Sequence, residues 1–175
     1  MNAPCANLTV LVGERFACVK IVGRANFNAS LNFKAVLSEL RQRGYPYIVL
    51  ELSECAWMDS TFLGVLAGFG VKAHTLPVGC RDHAIELRNA NERLIELLDN
   101  LGVLHLFLTT HGALPTGETS PLPVPPPGEP SREALTQASL EAHQMLMNLH
   151  PENVARFKDV TNFLAEDLKK QRAES

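Results

Sequence analysis

Between residues 8 and 108 the spacing of apolar positions switches repeatedly between two periods. LTVLVG (8–13) and FACVKIVG (16–23) are β-branched runs joined through Gly13-Glu14-Arg15, which reads as a hairpin. NASLNFKAVLSELRQRG (28–44) sets Leu31, Ala35, Leu37 and Leu40 at roughly helical spacing and stops at Gly44, a helix with a glycine end signal. YIVLEL (47–52) opens on four consecutive apolar residues, which predicts a strand covered on both faces. Residues 60–73 predict a second helix and AIELR (84–88) a further strand. NERLIELLDN (91–100) predicts a third helix whose apolar side is Leu94, Leu97, Leu98 and Leu101, and VLHLFL (103–108) a closing strand. Alternating strands and helices predict an α/β protein, and the opening hairpin makes its sheet mixed rather than purely parallel.

The composition changes near residue 114. LPTGETSPLPVPPPGEP (114–130) holds seven of the chain's eleven prolines, which remove backbone donors and fix φ, so it reads as an extended linker. The expected organisation is a domain over residues 1–113, a linker over 114–130 and a helical tail over 131–175. In the tail, Ser131 can cap a helix running to about Asn148, with Leu135, Ala138, Ala142, Met145, Leu146 and Leu149 as its stripe. Pro151 suits the first turn of another, which carries Val154, Phe157, Val160, Leu164 and Leu168 and ends in Lys169, Lys170 and Arg172. Two amphipathic helices in series predict an αα-hairpin. About forty residues cannot bury two such stripes alone. The hairpin must dock on the sheet domain, on a second copy as a homodimer, or on a partner. The linker also predicts that the first domain folds without the tail.

Composition narrows the function classes. The chain is 46% hydrophobic and 20% charged, ordinary for a folded soluble protein. Net charge is −3, and residues 1–113 are balanced at ten basic against ten acidic, so the excess of acid lies in the tail. That argues against a nucleic-acid surface. Cys5, Cys18, Cys55 and Cys80 form no C-x-x-C pair, which favours reduced thiols and a cytoplasmic location. The opening MNAPCANLTVLVGE lacks the pattern of a signal peptide, and the longest apolar run, Thr61 to Val71, is too short to cross a membrane. No nucleotide or metalloprotease motif is present, so no cofactor is expected. His74, Cys80, Asp82 and His83 match no metal-ligand spacing, so no metal is expected either. His143 and His150 read as solvated, and Trp57 as a core residue, with a partly exposed interface position as the alternative. No histidine is assignable near the serine discussed next, so no catalytic triad, and no enzyme, is expected.

That serine stands in CAWMDSTFLGVLAGFGVKA (55–73), where Asp59-Ser60-Thr61 opens an almost uncharged helix carrying Gly64, Gly68 and Gly70. The order of elements over about residues 8–109, with Met58-Asp59-Ser60-Thr61-Phe62-Leu63-Gly64 at its centre, resembles the STAS domain of anti-sigma factor antagonists. The segment 84–107 also looks like that family's closing strand–helix–strand, with Asn89-Ala90-Asn91 before the helix. The resemblance implies a mixed sheet with helices packed mainly on one side. It implies that Ser60 is phosphorylated by a partner serine kinase that doubles as an anti-sigma factor, with Thr61 as a secondary acceptor. The kinase would be bound while Ser60 is unmodified, and a phosphatase would restore binding. Asp59, Phe62, Gly64, Asn26 and Arg24 would belong to the partner-binding rim. Two positions depart from the pattern. Phe62 replaces the usual glycine, and Gly23-Arg24-Ala25-Asn26 stands where Gly-Glu-Leu-Asp is frequent.

The residues allow the switch on physical grounds. Ser60 is expected at the N-cap, where the first amides lack partners and a phosphate meets the positive end of the helix dipole. Phosphorylation adds about −1.5 to −2 charges, which a docking surface beside Asp59 would not accept. The plain alternative is that Ser60 only caps the helix, worth about 1 kcal/mol. Asp59 either orients the hydroxyl or is itself the cap. Gly64 and Gly68, one turn apart, permit close approach of the sheet or a partner. A second functional reading is a constitutive, unphosphorylated STAS-like subunit or scaffold of a transport or signalling complex.

Overall fold

A computed structural model describes residues 5–75, 84–114, 117–124 and 128–175. The elements run β1 (Asn7–Val12), β2 (Phe16–Ala25), α1 (Phe27–Gln42), β3 (Tyr47–Glu51), β4 (Cys55–Met58), α2 (Ser60–His74), β5 (Ile85–Arg88), α3 (Glu92–Asn100), β6 (Leu108–Thr110), β7 (Ser120–Leu122), α4 (Arg132–Leu149) and α5 (Glu152–Ala173). The sheet order is β6-β5-β3-β2-β1-β7, with β4 pairing beside β2. β1 pairs antiparallel with β2 and β7, and the remaining pairs are parallel. The sheet is therefore mixed, as expected.

The side-chain alternation of the strands decides which face the helices cover. Val10, Ala17, Val19, Ile21, Ile48, Leu50, Ile85 and Leu87 join the helix-facing core with Phe33, Leu37, Leu66, Leu94 and Leu98. The opposite face carries Cys18, Lys20, Glu51, Glu86 and Arg88. Tyr47 and Thr110 donate to Glu86 there, and Arg88 Nε donates to it at 2.7 Å. β3 is thus buried on both faces, but the second cover is polar. Burial pushes the Glu86 carboxyl up, and the donors outweigh it, holding it below the usual glutamate value. Burial and then Glu86 raise the Tyr47 phenol above its ordinary range.

Several expectations shift. The closing strand is displaced: Leu104–Leu106 is a single 3-10 turn and β6 begins at Leu108. Leu106 and Phe107 turn inward instead, and a Cβ on Gly70 of α2 would lie 2.8 Å from the Phe107 ring. The proline-rich stretch contributes β7, whose Pro121 sits on an edge strand, where its missing N–H is tolerated. β4 is too short for its period to show in the sequence. It pairs with β2 after a register shift between Gly23 and Arg24.

The tail forms the two expected helices, with Ser131 accepting from Ala134 N at 3.1 Å and Pro151 just before α5. α4 docks on α2, and Leu146 is fully buried in the same core as the sheet. Asn153 is also fully buried and donates to the carbonyls of Leu101 and Leu146 at 2.9 and 2.8 Å, fastening the turn between α4 and α5 to the end of α3. α5 packs on α4 and leaves Val154, Val160 and Phe163 exposed. Among the described residues no helix is long and apolar enough to cross a membrane.

Candidate functional site

The site forms where β4 ends and α2 begins. Asp59 has extended backbone geometry, and its Oδ1 accepts from Phe62 N at 2.8 Å. Asp59 is therefore the N-cap of α2, which settles the alternative left open by the sequence. Its second oxygen, Oδ2, accepts from Phe27 N at 2.6 Å, and its own N–H donates to the carbonyl of Ala25 at 3.0 Å. One carboxylate thus joins the start of α2 to the start of α1. Asn26, the N-cap of α1, accepts from Ala29 N at 3.3 Å beside it. Burial pushes the Asp59 carboxyl above the usual aspartate value, and the N–H groups of Phe62 and Phe27 counter it in part.

With Asp59 as cap, Ser60 is the first helical residue and not the cap. Its side chain is free to reach elsewhere, and it reaches α4. Ser60 Oγ lies 2.8 Å from His143 Nε2. The other ring nitrogen, Nδ1, lies 2.6 Å from the carbonyl oxygen of Ser139. A carbonyl only accepts, so Nδ1 carries a proton, and in the neutral tautomer Nε2 is the acceptor. Ser60 is then the donor. One turn of α4 away, Ser139 Oγ meets Thr61 Oγ1 at 2.9 Å. Thr61 and His143 are each 4% exposed, while Ser60 and Asp59 are half-buried.

The helices meet closely because both present small residues. A Cβ added at Gly64 would sit 2.3 Å from the carbonyl oxygen of Ala142, so α4 lies backbone against backbone there. Gly68, one turn on, faces the Met145 methyl at 3.6 Å from the same construction. A groove of about 240 Å³ follows this seam between Gly64, Gly68, Ala138 and Met145. Lys34 of α1 closes its rim through an ion pair with Glu141 at 3.7 Å.

The other sequence-derived site residues separate into buried and open positions. Phe62 is fully buried and stacks on Phe33 at 4.4 Å between ring centroids, so it is a core residue and not a partner anchor. Gly64 is occupied by the chain's own α4, and Thr61 is covered by Ser139. Arg24 is exposed and pairs in register with Trp57. Trp57 is 41% exposed, which corrects its reading as a core residue: β4 is short and turns this position outward. His143 is not solvated as expected but is buried in the seam. His74 takes no part in a metal-binding group among the described residues, and Cys80, Asp82 and His83 lie outside them.

A serine hydrogen-bonded to a histidine that is oriented by a third group has the order of an activated nucleophile. The Phe62 amide, a natural donor to a developing oxyanion, is held by Asp59, and the groove along the seam is lined by residues beyond Ser60. What the arrangement does do is join two helices through one hydroxyl.

No family model matches the chain, and no curated protein sequence matches it. Among solved structures, the anti-sigma factor antagonist SpoIIAA in its unphosphorylated form is similar at 15% identity and a TM-score of 0.44, over 63% of this chain and 90% of that one.

Proposed function

We propose that this chain is a phospho-switchable regulatory binding protein of the anti-sigma factor antagonist type, with Ser60 as the acceptor. The observation that carries the reading is that Ser60 is not spent on capping α2. Asp59 does that, and the Ser60 hydroxyl instead makes a contact across a helix–helix interface. A phosphate at this position leaves the helix cap intact and acts on whatever lies against α2. The reaction is ordinary phosphoryl transfer: an Oγ–P bond forms on Ser60, the terminal phosphoryl bond of ATP breaks, and ADP and the hydroxyl proton leave. The partner is a serine kinase that binds the unmodified form, a phosphatase reverses the change, and the protein itself is a substrate and not a catalyst.

A second reading is a constitutive subunit or scaffold without a phosphate cycle. The partial cover of Ser60 by α4 favours it. Intact-mass and peptide mapping of the full chain, purified from its native cells with phosphatases inhibited, separates the two. The switch reading expects one added phosphate on the peptide containing Ser60, absent from Ser60→Ala. An unmodified peptide under every growth condition tried supports the subunit.

A further inference from the structure

We propose that the hairpin of α4 and α5 is a self-bound occupant of the α2 face, and that a phosphate on Ser60 drives it off. The inference rests on the phospho-acceptor reading and adds what the phosphate acts upon.

Space is the first argument. Ser60 Oγ and His143 Nε2 are 2.8 Å apart, and His143 is 4% exposed, so a phosphorus and three oxygens cannot enter between them. α4 cannot yield by small adjustment, because at Gly64 it already rests on the α2 backbone, with Thr61 and Ser139 in contact one turn away. Accommodation within the seam therefore requires the two helices to part.

Charge is the second. The phosphate would stand beside Asp59, with Glu141 on the same stretch of α4 and Lys34 already paired to Glu141.

The two helices of the hairpin hold to each other, while its turn is fastened to the end of α3 by Asn153. Its helices are joined to each other by Arg172 with Glu133 at 2.8 Å and Arg132 with Asp167 at 3.1 Å. It is connected to β7 by a short proline-containing segment. Docking and modification then exclude one another. By linkage, a phosphate that weakens docking by some factor is opposed by docking to the same factor, so the docked hairpin also shields Ser60.

The test is hydrogen exchange, read by mass spectrometry, on the full chain in three forms: wild type, phosphoserine genetically encoded at position 60, and Gly64→Ala. A Cβ at Gly64 wedges α4 away without any phosphate. The expected result is exchange about 10- to 100-fold faster in α4 for both altered chains, with β2 and β3 unchanged. Wild-type protection of α4 in the phosphoserine chain overturns the proposal, whether or not Gly64→Ala opens it. Equal acceleration across the sheet also overturns it, since that marks general destabilisation. Encoding the phosphoserine bypasses any kinase. An acceptor serine never modified in native cells would thus sink the functional reading and leave this result legible.

Discussion

The Ser60 hydroxyl and the His143 imidazole lie 83 residues apart in the chain and 2.8 Å apart in space, joining a sheet domain to its own tail. His143 holds its acceptor nitrogen toward α2 because the Ser139 carbonyl takes its proton. Replacing Ser60 by alanine strands that nitrogen in a nearly dry seam, where an unmade hydrogen bond costs about 1–3 kcal/mol. Ser60→Ala is therefore expected to lower stability by about 1–2 kcal/mol in urea unfolding while keeping the circular dichroism of the wild type. A change within experimental error would place the hydroxyl in water.

Asp59 answers for the cap. Asp59→Ala removes the acceptor for both Phe62 N and Phe27 N, and is expected to cost about 2 kcal/mol. Asn26→Ala removes only the cap of α1 and is expected to cost about 1 kcal/mol. Thermal melts of the two variants check the order, and the reverse order would contradict the bridging role of Asp59.

The polar face of the sheet carries a pH dependence. The folded Glu86 carboxyl is held below its usual value by its donors despite burial. A depressed carboxylate contributes stability that is fully present above the unfolded glutamate value, about 4.3, and lost as pH falls through the folded one. Glu86→Gln is expected to cost roughly 3 kcal/mol near neutrality, since Arg88 loses its buried partner, and the gap from wild type should close in acid. Urea unfolding at a series of pH values measures it.

Thiol chemistry reports the packing independently. Burial, with Glu51 adding to it, pushes the Cys18 thiol up to about 11, and burial also raises Cys55. Cys5 is exposed. In the native protein at mildly alkaline pH, mass-resolved alkylation is expected to modify Cys5 before Cys18 and Cys55, which react only on unfolding.

Much of the sheet was readable from period alone, because long runs such as those of β2 and β3 report their burial directly. Short or composition-masked elements were not: four residues of β4 carry too few positions for a period, and β7 hides among prolines. The place of the site was legible in Asp59-Ser60, but not the division of labour within it. Asp and Ser are both good caps, and only the backbone geometry shows which one holds that position. Phe62 is buried and Trp57 exposed, the reverse of what was expected: the run from Thr61 to Val71 is apolar on every side and so does not show which way Phe62 faces, and β4 is too short to fix Trp57. His143 was missed although its neighbours gave a signal. Ala138 and Ala142 on α4 share the four-residue spacing of Gly64 and Gly68 on α2, and small residues at matching spacing mark helices that can touch.

The account stands on direct coupling between Ser60 and His143. A double-mutant cycle on Ser60→Ala and His143→Ala, read by urea unfolding of the full chain, measures it without a kinase or a partner. Coupling of about 1 kcal/mol is expected, the double variant costing less than its two parts together. Costs that simply add would contradict the account, because the hydroxyl would then hold nothing to α2.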